Sequence, residues 1–299
     1  MAGATAGGVD DGPRHGGGRH DESFGAAFEA LGELALEGAA VSATVVDLDV
    51  GSDLLLVDES VALPIAQLGV VLLLIEVSAQ IESGQLRPLD EIERLAGPGD
   101  RSAVGGGGLW SYLQRRSLAV TDAAALVGAL RDPAAVNALI GLVGLDAVRA
   151  RADALGLRRT ALLDVARAER GPDDAPALAV GSTRELAALA ARLAHGEVVD
   201  AAVSSRVLGW ASLGVDLSLV AAPFGLDPVS HRRLDHDLQL VHLAGIDGGV
   251  RSEVGVLRGP ARGVAYAVTV TFDDLTLGHR LRVSGALRTV GTTLLEHVH

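Results

Sequence analysis

Few side chains here can act as a nucleophile or base near neutral pH. The 299 residues include no cysteine, and all 25 basic residues are arginines, leaving no lysine. Thiolate chemistry, disulfides and Schiff bases are therefore excluded, and no lysine can serve as a proton acceptor. One stretch, Ser230 to Asp237 followed by His242, brings imidazoles and carboxylates close together. His231, Asp235 and His236 have metal-ligand character, yet so polar a run reads better as a connecting loop, and neither metal nor cofactor is expected. His242 is the candidate general acid or base; strand alternation leaves open whether it faces a ligand. Asp132 is a second catalytic candidate. Asp132-Pro133 also spells a helix N-cap followed by proline at the first helical position. Arg131 can reach a ligand or pair with an acid, and Arg251 and Glu253, two apart on a strand pattern, are expected to pair with each other or with a neighbouring helix. Gly105 to Gly108 precede Leu109-Trp110, and Trp110 offers a stacking surface. The glycine run lacks the lysine and strand-loop-helix context of a phosphate loop.

The surrounding elements must position these groups. Phe24, Phe28, Leu31 and Leu34 fall at helical spacing. Two β-rich runs then flank Val50-Gly51-Ser52 as a hairpin. From Leu63 to about Gly225 the pattern is almost wholly helical, with segments such as TDAAALVGAL and TRELAALAARLAHG between Gly and Pro breaks. Three β-rich runs follow, then a last helical stretch. The hairpin and late strands can bury their edges only against each other. This predicts an α/β (α+β) fold: one antiparallel sheet covered by the first and last helices, a separate helical lobe, and a ligand cleft between lobes. Residues 1–21 read as a disordered Gly-rich tail and residues 22–299 as one domain. Within it, 22–62 and 238–299 form the α/β lobe and 63–237 the helical lobe. A net charge of −13 argues against nucleic acid. The apolar run Val70–Ile75 is too short to span a bilayer, so a cytoplasmic protein is expected. Oligomeric state is not readable.

This order resembles the serine β-lactamases and penicillin-binding proteins, and three segments carry the likeness. That family sets S-x-x-K at the start of its first lobe helix; the matching stretch LPIAQLGVVLLLIEVSAQIESGQL has Gln67 for the serine and Val70 for the lysine. S-D-N becomes Arg131-Asp132-Pro133. K-T-G becomes Leu243-Ala244-Gly245, with Gly249, Val250, Arg251 and Gly255 of the following pattern retained. For the deacylating glutamate of class A enzymes, Asp164 and Glu169 are on offer without a matching motif.

The resemblance implies a β-lactamase-like fold over about residues 22 to 299. An amide at Gln67 cannot be acylated as a hydroxyl is, Val70 removes the base, and Leu243 and Ala244 remove donors to a substrate carboxylate. The expectation is therefore a non-hydrolytic protein that binds a largely apolar small molecule in the former cleft. Gln67, Val70, Trp110, Arg131, Leu243, Ala244 and Gly245 would line it, with Asp132 and His242 as catalytic groups if a non-covalent cyclisation, isomerisation or ring opening survives. The alternative is an inactive binding or regulatory protein.

Overall fold

The computed structural model describes residues 18–94, 108–228 and 236–299. In chain order its elements are β1 (Arg19–His20), α1 (Gly25–Leu36), β2 (Ala40–Asp47), β3 (Asp53–Val57), β4 (Leu63–Pro64), α2 (Val70–Glu82), β5 (Glu91–Glu93) and β6 (Ser117–Ala119). There follow α3 (Val120–Leu130), α4 (Pro133–Val143), α5 (Leu145–Ala154), β7 (Ala161–Leu162), β8 (Ala179–Gly181), α6 (Thr183–Ala194) and α7 (Ala201–Ala211). The chain closes with β9 (Gln239–Asp247), β10 (Val250–Arg258), β11 (Gly263–Thr271) and α8 (Leu277–Val298).

Alternation builds the main sheet, ordered β1-β3-β2-β11-β10-β9, every pair antiparallel. On β11, Val264, Tyr266, Val268 and Val270 face α1 and α8, while Ala265 and Ala267 face the helical lobe. The expected hairpin is β2–β3. Its turn is held by Asp47, whose carboxylate accepts from the backbone N–H groups of Asp49 and Val50. Linking the late strands to that hairpin, β11 pairs with β2 from Val264 opposite Asp47 to Thr271 opposite Ala40.

The lobe 63–237 grows around α2, buried at nearly every position. Its buried Glu76 is matched by Arg151 at 2.8 Å and by Gln80. Three boundaries depart from the sequence reading. Arg19 and His20 pair with Leu56 and Leu55, so ordered chain starts before residue 22; the rest of the expected tail, including His15, lies outside the described residues. The middle block is not wholly helical: β4, β8 and β7 form one small sheet, β5 and β6 another. Finally, Leu219, Val220 and Phe224 pack with α1 and α8 and not with the helical lobe, because the chain must cross to the terminal-helix face before entering β9. Among the described residues no single helix is long and apolar enough to cross a membrane.

Candidate functional site

A cavity of about 470 Å³ opens between the start of α2, the α3–α4 corner, the 163–178 loop and the end of β9, within the range of small-molecule sites. Its floor is set by a strained residue. Ala66 adopts φ 48°, left-handed backbone that a non-glycine residue enters at a cost of about 1 kcal/mol or more. This turn aims Gln67 at the free edge of β9. There the carboxamide is doubly engaged: the Ile246 N–H donates to Gln67 Oε1 at 2.9 Å, and Gln67 Nε2 donates to the Ile246 carbonyl at 3.1 Å. An outward backbone N–H at the mouth of a cavity is the kind of donor that can stabilise an oxyanion. Here the protein's own amide occupies it.

Asn137 makes a second clamp of the same design, donating to the Ala166 carbonyl at 2.9 Å while its Oδ1 accepts from the Ala166 N–H at 2.7 Å. This pins the 163–178 loop against α4 and presents Ala166, Arg167, Ala168, Arg170 and Leu178 to the cavity. Asp164 anchors the loop from within. It accepts from Arg167 Nε and Arg170 Nη1, both at 2.7 Å, and from the Val165 N–H at 2.7 Å. Desolvation pushes its carboxyl upward, but the bonds from Arg167, Val165 and Arg170 outweigh that and leave it below the usual carboxylate range. Asp164 is therefore a structural anchor. Ala166, whose backbone the clamp holds, also lines the cavity, and nothing in its sequence context singles it out.

At the α3–α4 corner the capping reading of Asp132 holds. Its Oδ1 accepts from the N–H groups of Ala134 and Ala135, and its Oδ2 from the Trp110 N–H at 2.9 Å, with the residue 1 % exposed. A Cβ on Gly108 would strike this carboxylate, so the close approach requires glycine. Trp110 is fully buried, its Nε1 donating to the Arg115 carbonyl, and presents no stacking face. Arg131 does line the cavity, together with Asp216.

The remaining expected residues lie elsewhere. Val70 packs in the core of the helical lobe, fully buried. Leu243 faces that core and Ala244 the opposite one, as alternation demands. Gly245 is a close-approach position: a Cβ there would come within 2.9 Å of the Ile65 carbonyl and closer still to Ser252 Oγ. His242 is buried on the α1–α8 side of the sheet, with Nδ1 3.0 Å from Glu253 Oε1. Glu253 also accepts from Tyr266 Oη at 2.7 Å and the Val220 N–H at 2.8 Å. Burial and that carboxylate raise the Tyr266 phenol well above its usual value. Arg251 instead donates to the carbonyls of Asp247 and Val250, so it does not pair with Glu253. The expected apolar lining is thus corrected. Val70, Leu243 and Ala244 lie in cores, while the cavity carries Gln67, Arg131, Arg167, Arg170, Asp216 and Asp247 beside Pro133, Val136 and Leu178.

Of the polar run weighed as a possible metal site and read as a connecting loop, His231 and Asp235 lie outside the described residues. Among the described residues no three His or carboxylate side chains group as metal ligands.

A six-stranded antiparallel sheet between terminal helices and a helical lobe, with a cleft at the start of the lobe's central helix, defines the β-lactamase fold class. Residues 26–298 match the profile of the Beta-lactamase enzyme family, and the chain belongs to that family. Among solved structures it resembles a β-lactamase from Sphaerobacter thermophilus, with a TM-score of 0.78 at 20% identity, covering 92% of this chain and 97% of that one. An ancestral class A β-lactamase gives 0.73 at 20% identity over 91% and 99%. PBP-A gives 0.73 at 17% over 91% and 95%. No curated protein sequence matches this one closely enough to count as a relative.

Proposed function

We propose that this chain is a non-hydrolytic member of the family whose interlobe cavity binds a small molecule without forming an acyl-enzyme. The observation that carries the reading is the Gln67 clamp. Acylation needs a hydroxyl or thiol nucleophile beside free oxyanion donors; here a carboxamide stands at that position and saturates the Ile246 N–H and carbonyl. Binding without turnover is supported by the fate of the two acid-base candidates. Asp132 and His242 are buried in hydrogen bonds and neither borders the cavity.

The test is intact-mass spectrometry after incubation with penicillin G, together with absorbance turnover of a chromogenic cephalosporin. The expected result is an unshifted mass and no turnover above a heat-denatured control. A mass gain equal to the opened penicillin refutes the proposal.

A further inference from the structure

Arg131 is the unsettled residue of the cavity. It sits at φ 53°, ψ 36°, the left-handed cap that ends α3, with its side chain 10% exposed. A guanidinium offers five N–H donors and finds its best match in a planar or tetrahedral oxyanion. Arg131 receives one marginal partner, Asp216 Oδ2 at 3.5 Å. Asp216 can offer no more, since its Oδ1 is turned to the Ser218 N–H and hydroxyl at 3.1 and 2.6 Å. Among the described cavity-lining residues, Arg131 Nη1 is the one buried side-chain nitrogen or oxygen left without a hydrogen-bond partner. The neighbouring cations differ. Arg167 and Arg170 are matched by Asp164, and Arg167 also by Asp174 at 3.2 Å.

Resting on the small-molecule reading above, we propose that the ligand carries an oxyanion head, a carboxylate or phosphate. That head displaces Asp216 as the partner of Arg131, while an apolar body lies against Pro133, Val136 and Leu178. The charge is available throughout the physiological range: burial lowers the Arg131 pKa, with Asp216 and Glu253 opposing the shift, but guanidinium starts far above neutrality. Asp216 then acts as a placeholder, loose enough to be exchanged and close enough to keep the empty site from holding a naked cation.

The experiment uses the full chain and three probes of one shape: benzoate, phenyl phosphate and benzamide. Binding is followed by calorimetry and by the amide NMR signals of Gln67 and Ile246. Benzoate or phenyl phosphate should move those signals, with benzamide binding at least about tenfold more weakly, the scale of one charge-assisted bond. The ratio of the two anions identifies the head group. Arg131→Met should lose about tenfold for the anion and nothing for benzamide, whereas Arg87→Gln, an exposed pair far from the cavity, should lose neither. Asp216→Asn removes the competing carboxylate and should strengthen anion binding, giving an independent arm should Arg131→Met fold poorly. If benzamide binds as well as benzoate, or Asp216→Asn weakens the anion, the oxyanion proposal falls while the cavity reading stands. If none of the probes moves Gln67 or Ile246, both fall.

Discussion

Replacing Asp132 by alanine separates structural from catalytic readings of the α3–α4 corner. The carboxylate holds three backbone donors: the N–H groups of Ala134 and Ala135 in the first turn of α4, and that of Trp110 from a different segment. Losing a helix N-cap costs about 1 kcal/mol. Orphaning the buried Trp110 N–H costs about 1–3 kcal/mol more, because alanine brings no acceptor and the site is closed to water. The sum is about 3 kcal/mol. For a domain of this size that corresponds to roughly 6–12 °C in Tm. Asp132→Asn keeps one acceptor oxygen but turns an amide toward a donor, so an intermediate loss of about 1–2 kcal/mol is expected. Urea denaturation of both variants measures these values. Losses below about 0.5 kcal/mol in both would refute the three-donor account and return Asp132 to the list of ligand-facing groups.

Two other perturbations test buried carboxylates, one on the terminal-helix side of the sheet and one in the cavity loop. Glu253→Ala leaves His242, Tyr266 and the Val220 N–H facing an empty buried site and should cost about 3–5 kcal/mol by denaturant titration; a loss under 1 kcal/mol would mean that the triad is not a stabilising unit. Asp164 has its pKa depressed in the folded state, so its stabilisation is present above the unfolded value of about 3.9 and is lost as pH falls through the folded value. The protection factors of Val165 and Ala166, which are corrected for the intrinsic pH dependence of exchange, should therefore fall on acidification, and Asp164→Asn should show the lowered protection already at pH 7. Equal exchange in variant and wild type at neutral pH would discard the anchor.

How much could be read in advance follows from where the information lies. The long strands were legible because β-branched residues repeat along them, and the sheet followed because exposed edges need partners. The short β4, β5, β7 and β8 were not, since two or three residues carry no period. At the candidate site, Arg131 and Gln67 could be singled out because the resemblance fixed their segments, and both line the cavity. Asp216 was missed because it meets Arg131 only when the chain after α7 turns back. Asn137 was missed because within α4 it looks like any helical polar residue. Ile246 contributes through its backbone, to which its side-chain identity is silent. His242 and Ala244 fell on the far side of the sheet through a parity that Leu243, drawn into the helical-lobe core, decides.

The clamps argue for a rigid site. The left-handed Ala66 presents Gln67, which satisfies both polar groups of Ile246. Across the cavity Asn137 does the same for Ala166. These clamps fix both walls at backbone level, which is how a rigid binding site is kept in register. Their thoroughness makes the exception informative. Among the described cavity-lining residues the other buried side-chain donors and acceptors are matched, and Arg131 Nη1 is left without an acceptor, with only the 3.5 Å contact of Asp216 to balance a charge that burial makes costly. A cost confined to one cation in an otherwise satisfied cavity points to a ligand that removes it on binding.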